Sequence, residues 1–287
     1  MSIIVEKLTY TYQSGSMNAY TALHDIDLTV DEGEFIGLIG HTGSGKSTLI
    51  QQLNGLMQPT SGRVIVDGYD MSDKKQRKLG RAKIGMVFQY PDYQLFDETV
   101  YKDISFGPRN MGLDGDEIDR RVREAMRLVG LNEVMFADKS PFELSGGEKR
   151  RAALAGIIAM YPKYLVLDEP MAGLDPSGRK AVLSMIERFR QKLNCAIVMV
   201  SHSMDDIARA ADRVVVLRGG KIYQTGAPSV IFRDIGALND MGLDAPFAAR
   251  LAEELRNRGC DLPRGIYTND ALAIALRNRI GVTGNDD

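Results

Sequence analysis

Cysteine is scarce in this chain: Cys195 and Cys260 are the only two among 287 residues, and they lie far apart. That excludes a disulfide framework and fits a reducing compartment. No sign of charge dominates. The formal net charge is −2, so nothing in the bulk composition points to a nucleic-acid partner. Long apolar runs are missing too. The longest, Ala152–Tyr161, is about half of the roughly 20 residues that a membrane-spanning helix needs. The N-terminal stretch MSIIVEKLTYTYQ has no basic start followed by an apolar core, so no signal peptide is expected. Repeats and low-complexity tracts are absent. The expectation is a folded protein that does not itself cross a membrane but is free to dock on something that does.

What is present is an ordinary globular balance, 44% hydrophobic and 26% charged, enough to bury a sizeable core. Phe35–Ile39, Ile84–Phe88, Tyr164–Leu167, Ala196–Val200 and Val214–Leu217 are short, continuous apolar runs. Continuous rather than alternating runs are expected of strands buried on both faces. Helical patterns lie between them. In one, Val182, Ile186, Phe189 and Leu193 recur at helical spacing and read as core packing. Strands alternating with helices predict an α/β fold with a mostly parallel sheet. From Thr99 to Met160 helical patterns dominate, as in Asp116–Val129 and Gly147–Met160. A helical subdomain inserted at about 95–161 into a domain spanning 1–226 is therefore expected. After Gly226 the texture changes to scattered prolines, short helical stretches and the polar end GVTGNDD. Residues 227–287 read as a small appendage with a frayed tail, with a dimer-stabilising role as one expectation.

Gly40, His41, Thr42, Gly43, Ser44, Gly45, Lys46 and Ser47 fit the pattern G-x-x-x-x-G-K-[ST] between a strand and a helix, the latter expected over Lys46–Leu53. Glycines let the backbone wrap around phosphates, and the helix N-terminus adds positive potential. Lys46 is expected to reach the β- and γ-phosphates of a nucleotide, Ser47 to bind Mg²⁺, and Thr48 to add a phosphate contact. Downstream, the apolar strand Leu165–Leu167 ends in Asp168 and Glu169. Buried charge is costly without a partner, and Mg²⁺–ATP is one. Asp168 is expected to hold the metal through water, and Glu169 to polarise the attacking water.

Leu144-Ser145-Gly146-Gly147-Glu148, a short way before the acid pair, resembles the signature loop of ATP-binding-cassette (ABC) ATPases. A helix opened by Ser145, Gly146 and Gly147 is suited to an anion. The resemblance implies a RecA-like phosphate-loop fold with an antiparallel β N-terminal part. It also implies that these three residues serve the γ-phosphate of ATP on the opposing subunit of a head-to-tail dimer. Further matches fall in the family's order. Gln89 looks like the Q-loop glutamine that touches Mg²⁺ or water. Ala172-Gly173-Leu174-Asp175 looks like the D-loop at the dimer seam. His202 looks like the switch histidine at the γ-phosphate. Tyr12 resembles the aromatic that stacks on adenine, with Tyr10 as its rival. Met171 departs from the family, which commonly has Thr or Ser there.

A finer resemblance surrounds Gln89. Phe88-Gln89-Tyr90-Pro91-Asp92-Tyr93-Gln94-Leu95-Phe96 and Phe106-Gly107-Pro108-Arg109-Asn110 look like energy-coupling factor (ECF) transporter ATPases. The Gln-Leu-Phe and Phe-Gly-Pro variants, with the run from Gly146 to Arg151, resemble the second of their two ATPase paralogues. The resemblance implies ATP hydrolysis that powers uptake of vitamins or other micronutrients, at the cytoplasmic face of the cell membrane as a peripheral subunit. Implied partners are a paralogous ATPase, a transmembrane coupling protein docking near Gln89–Phe96 and, indirectly, substrate-binding membrane subunits; nucleic acid is not among them. The ATPase of a conventional ABC importer is the alternative, and a soluble ABC ATPase a more distant one. Lys74, Lys75, Arg77, Lys78, Arg81 and Lys83 form a basic cluster that reads as a solvated face, with lipid or partner contact as the sharper option. Lys149, Arg150 and Arg151 are expected to orient the signature helix.

Overall fold

The computed structural model describes residues 1–89 and 91–280. Tyr90, within the expected docking segment, and the polar end GVTGNDD lie outside the described residues. The strands are β1 (Ser2–Tyr12), β2 (Tyr20–Asp31), β3 (Phe35–Ile39), β4 (Ser61–Val66), β5 (Tyr69–Asp70), β6 (Ile84–Val87), β7 (Tyr164–Asp168), β8 (Ala196–Val200), β9 (Arg213–Arg218) and β10 (Lys221–Gly226). They form two sheets. A four-stranded antiparallel sheet has the order β2-β1-β4-β5, and a six-stranded sheet has the order β10-β9-β3-β8-β7-β6. In the larger sheet every pairing is parallel except β9 with β10. The α/β class and the antiparallel N-terminal part agree with expectation.

Alternation along the strands sorts the core into two layers. On one face of the large sheet Phe35, Leu165, Leu167, Ile197, Met199 and Val214 face helices. On the other, Ile36, Leu38, Val166, Val198 and Val215 meet α1 (Lys46–Leu53) and the antiparallel sheet, with Leu49, Ile50 and Leu53 filling the space between. Between β5 and β6 lies α2 (Lys74–Arg81). The helical insertion holds α3 (Val100–Asn110), α4 (Gly115–Leu128), α5 (Glu133–Phe136) and α6 (Gly146–Ile158), and no strand interrupts it. The helix α7 (Pro176–Leu193) is capped by Asp175, whose carboxylate accepts from the Gly178 N–H at 3.0 Å. Its stripe Val182, Ile186 and Phe189 is buried in the core and Leu193 packs at its margin. α8 (Met204–Ala210) follows β8.

Beyond Gly226 come α9 (Pro228–Ile231), α10 (Ile235–Asp240), α11 (Phe247–Asn257) and α12 (Asn269–Ile280). The expected appendage divides. Ile231, Phe232, Leu238, Met241 and Leu243 join the main core. Only the later part builds a cluster of its own, around Ala248, Ala252, Leu262 and Leu272. Among the described residues no helix is long and apolar enough to cross a membrane.

Candidate functional site

A parallel sheet gathers the carboxyl ends of its strands along one edge, where ligands of such folds bind. Here β3 ends in the loop Gly40–Gly45, β6 leads to Gln89, β7 ends in Asp168 and Glu169, and β8 leads to His202. Register holds these ends level: Asp168 pairs with Val200, and Leu38 also pairs with Val200. One cavity of about 250 Å³ collects them, lined by Lys46, Ser47, Gln89, Asp168, Glu169 and His202 among others.

The loop that opens α1 is shaped by its glycines. Gly45 sits at φ 102°, and a Cβ there would lie 2.8 Å from the Ala22 carbonyl and from Leu23 Cδ2. Only glycine fits that conformation and that space. Lys46 Nζ turns back and donates to the carbonyls of Gly40 at 2.6 Å and His41 at 3.1 Å. Burial pushes the Lys46 ammonium below its usual range, although Glu169 and Asp168 pull the other way. Thr42, Gly43, Gly45, Lys46, Ser47 and Thr48 line the cavity; Gly40, His41 and Ser44 do not. Gly40 and His41 contribute carbonyls to Lys46, and the buried Ser44 hydroxyl has no hydrogen-bond partner among the described residues.

The acid pair is held in a costly state. Burial pushes the Asp168 carboxyl above the usual carboxylate range, opposed by a hydrogen bond from Ser47 and by the charges of Lys46 and His202. Burial raises Glu169 as well, opposed chiefly by His202. Glu169 also adopts φ 50°, a strained left-handed conformation for a side chain of its size. Its Oε2 accepts from the His202 backbone N–H at 3.3 Å, and His202 Nε2 stands 3.5 Å from Oε1. Oε1 is buried and accepts no hydrogen bond among the described residues. A desolvated carboxylate oxygen with a free lone pair can take a proton from a water beside a reacting group.

Aromatic side chains close one side of the cavity. Tyr12 lines it and its hydroxyl meets Thr48 Oγ1 at 3.0 Å. Tyr10 does not line it; its ring stands edge-on to Tyr12 with centroids 4.8 Å apart. Tyr20 and Ala22 also line the cavity. Sequence reading missed both, because only the β1–β2 register, with Tyr12 opposite Tyr20, brings them there.

The signature loop lies elsewhere. Ser145, Gly146 and Gly147 are exposed and do not line the cavity. Ser145 caps α6 through a capping box: its backbone N–H and hydroxyl donate to Glu148 Oε2 at 2.8 and 2.7 Å. Those bonds hold the Glu148 carboxyl below its ordinary range. The capping box takes up the N–H groups of Ser145 and Glu148, while Gly146 and Gly147 between them lie exposed at the helix start. Buried Arg150 donates to the Ala172 carbonyl at 2.8 Å, tying the signature helix to the segment 172–175. Met171 is buried in the main core, a position that suits its apolar side chain.

Comparisons with known proteins converge. A family described as ABC transporter matches residues 23–172. The energy-coupling factor transporter ATP-binding protein EcfA2 of Caldanaerobacter subterraneus is 52% identical over 269 residues, covering 93% of this chain and 94% of the relative. Its namesake from Clostridium perfringens is 49% identical and covers 97% and 99%. Among solved structures, cbiO1 from Clostridium perfringens, part of the ABC transporter complex cbiONQ, superposes with a TM-score of 0.74 at 37% identity, covering 88% of this chain and 98% of that one. The dimeric bacterial ABC transporter cassette MJ0796 does so with a TM-score of 0.70 at 28% identity, covering 79% and 98%. The match runs through the phosphate loop, the acid pair and nearly the whole length of the relatives, and the chain belongs to the ABC transporter family, in its branch of energy-coupling factor ATP-binding subunits.

Proposed function

We propose that the cavity at the sheet edge binds ATP with Mg²⁺, and that this ATPase subunit powers uptake of a vitamin or other micronutrient through membrane subunits that are separate chains. The observation that carries the reading is convergence: Lys46, Ser47, Gln89, Asp168, Glu169 and His202 share one cavity, while the signature loop faces away from it. The donors suit the metal. Ser47, Gln89 and Asp168 offer oxygen, and Mg²⁺ is usually held by one or two carboxylates together with substrate phosphates. When bound, that ion neutralises charge developing on the phosphate oxygens.

The residues divide the work. Lys46 leaves the carbonyls of Gly40 and His41 and takes the β- and γ-phosphates, exchanging neutral acceptors for charged ones. Tyr12 stacks on adenine, with Thr48 fixing its hydroxyl. Glu169 Oε1 accepts the proton of the water that attacks the γ-phosphorus as the bond to the ADP oxygen breaks. His202 contacts the same γ-phosphate and orients Glu169 through its backbone N–H. Ser145, Gly146 and Gly147 complete the site of the opposing ATPase, and that subunit's own signature loop completes this one. Of the segment after Gly226, the later helices α11 and α12, which build a cluster of their own, stabilise the pair.

The coupling protein docks where the segment Gln89–Phe96 meets the helical insertion. Leu95, Phe96, Phe106, Met111 and Met160 line a groove of about 350 Å³ there. The half-exposed rings of Phe96 and Phe106 pack edge-on at 4.8 Å and offer apolar surface to a helix. Closure of the ATPase pair on ATP, and reopening after hydrolysis, then moves the docked helix. The subunit sits at the cytoplasmic membrane face without entering it.

Affinity purification of the tagged chain from gently solubilised native membranes, with mass spectrometry of the co-purifying proteins, tests this. Recovery of a second ATPase, one small shared membrane protein and several substrate-binding membrane proteins is the expected result. A single conventional permease would instead assign it to an ordinary ABC importer, and a soluble pool would overturn the transport role.

A further inference from the structure

The basic cluster after β5 splits in two. Lys83 leaves it to pair with the buried carboxylate of Asp67 at 3.0 Å. Asp67 is also bonded by Lys163 and by the Tyr164 hydroxyl. The other five, Lys74, Lys75, Arg77, Lys78 and Arg81, all belong to the eight-residue helix α2. The helix is held by Gly80, where a Cβ would press within 2.6 Å of Met71 Sδ, and by Asp73, whose carboxylate accepts from the N–H groups of Lys75 and Gln76. Gly80 faces inward, so at 100° per residue Lys74, Lys75, Lys78 and Leu79 face outward, and all four are exposed.

An ordinary solvated helix in this same chain looks different. In α4, Arg120 and Arg121 pair with Glu117 at 2.7 and 2.6 Å, and Arg123 pairs with Asp119 at 2.6 Å. On α2 no acid stands among residues 74–81, and none of its five cations forms an ion pair among the described residues. Instead Lys74–Lys78, Arg77–Arg81, Lys75–Lys78 and Lys78–Arg81 set like charges three or four positions apart, which weakens a helix. Such a face is stabilised by an anionic surface from outside. Leu79 is 53% exposed among the cations, and Leu56 is 44% exposed beside Gly55, over which the Arg77 stem lies. Cations flanking an exposed leucine suit a headgroup layer with an apolar interior beneath. α2 also packs on β6, the edge strand of the large sheet, whose other end leads through Gln89 to the apolar groove.

We propose that α2 is a lipid-docking element: its cations bind the anionic headgroups of the bilayer directly, with Leu79 and Leu56 at the boundary. This gives the subunit a membrane contact of its own. It rests on the peripheral location proposed above for its purpose, but binding to lipid requires no membrane subunit, so the two readings fail separately.

The test is co-sedimentation of the full chain with vesicles of equal parts phosphatidylglycerol and phosphatidylcholine, and with vesicles of phosphatidylcholine alone. Each cation near an anionic surface contributes about fivefold in binding. The triple variant Lys74→Gln, Lys75→Gln, Lys78→Gln is therefore expected to bind the anionic vesicles roughly 100-fold more weakly at low salt, while its melting temperature holds or rises as the like charges are removed and its shift with ATP is kept. An equal loss of charge elsewhere, Lys221→Gln with Arg233→Gln and Arg258→Gln, is expected to change binding by less than about fivefold. Equal binding to neutral vesicles, no effect of the α2 triple, or an equal effect of the control triple would overturn the proposal. So would tighter, α2-dependent binding of a single-stranded RNA homopolymer, which would make the helix a nucleic-acid surface.

Discussion

Replacing Glu169 by Gln separates chemistry from binding. The substitution keeps the shape of the side chain and removes the group that accepts a proton. Oε1 is buried without a hydrogen bond, and the other oxygen is held by the His202 N–H at 3.3 Å, an interaction that the amide oxygen of Gln preserves. General-base catalysis contributes about 10²–10⁴ in rate. At 1.36 kcal/mol per tenfold, the barrier rises by roughly 2.7–5.4 kcal/mol. Stability moves the other way. Burial already disfavours the Glu169 charge, so a neutral amide relieves that cost, and the melting temperature of the nucleotide-free chain is expected to hold or rise. ATP affinity is expected to hold or tighten, because one negative charge beside the triphosphate is gone. The assay is steady-state phosphate release by the assembled transporter, alongside equilibrium binding of ATP. Turnover within threefold of the parent, with binding intact, would refute Glu169 as the base.

Lys46→Ala removes a charge-assisted contact worth about 1.5–3 kcal/mol, so ATP affinity is expected to fall roughly 10- to 100-fold in a binding titration. Gly45→Ala forces a side chain into φ 102° with a Cβ 2.8 Å from the Ala22 carbonyl, and a loss of about 1–3 kcal/mol is expected in denaturant unfolding. Tyr12→Ala is expected to cost roughly 1–3 kcal/mol in ATP binding, read by calorimetry. Tyr10→Ala, at a ring outside the cavity, is expected to cost much less, and the reverse order would make Tyr10 the adenine platform. Asp168 and Glu169 have folded pKa values above their ordinary 3.8 and 4.5. Their protonated forms favour the fold, so their contribution is fully present below those ordinary values and is lost as pH rises through the raised ones. Melting curves of the nucleotide-free chain should show that decline, flattened in the double variant Asp168→Asn, Glu169→Gln.

Much of this was legible in the sequence, because the informative parts are local. The helix expected over Lys46–Leu53 and the strand over Ala196–Val200 carry those bounds in the structure. A phosphate-loop motif that opens a helix, and a continuous apolar run followed by Ser201 and His202, leave little freedom of assignment. What escaped depends on register and tertiary distance. Tyr20 reaches the cavity only because β2 folds back with Tyr20 opposite Tyr12. Lys83 leaves the basic cluster because Asp67, sixteen positions earlier, is buried within reach of it. Ile231, Phe232, Leu238, Met241 and Leu243 join the main core although the short helices there carry too few turns to show a stripe. The left-handed backbone of Glu169 has no sequence signal either, since nothing about a glutamate predicts φ 50°.

The most direct test of the central claim is a structure of the Glu169→Gln variant of the assembled transporter with ATP and Mg²⁺. The account predicts the γ-phosphate within hydrogen-bonding distance of Lys46 Nζ and His202, the metal beside Ser47, Gln89 and Asp168, adenine against Tyr12, and the other ATPase's signature loop closing over the phosphate. Nucleotide bound away from the Gly40–Thr48 loop, or a closed pair whose phosphates meet no second signature loop, would contradict it.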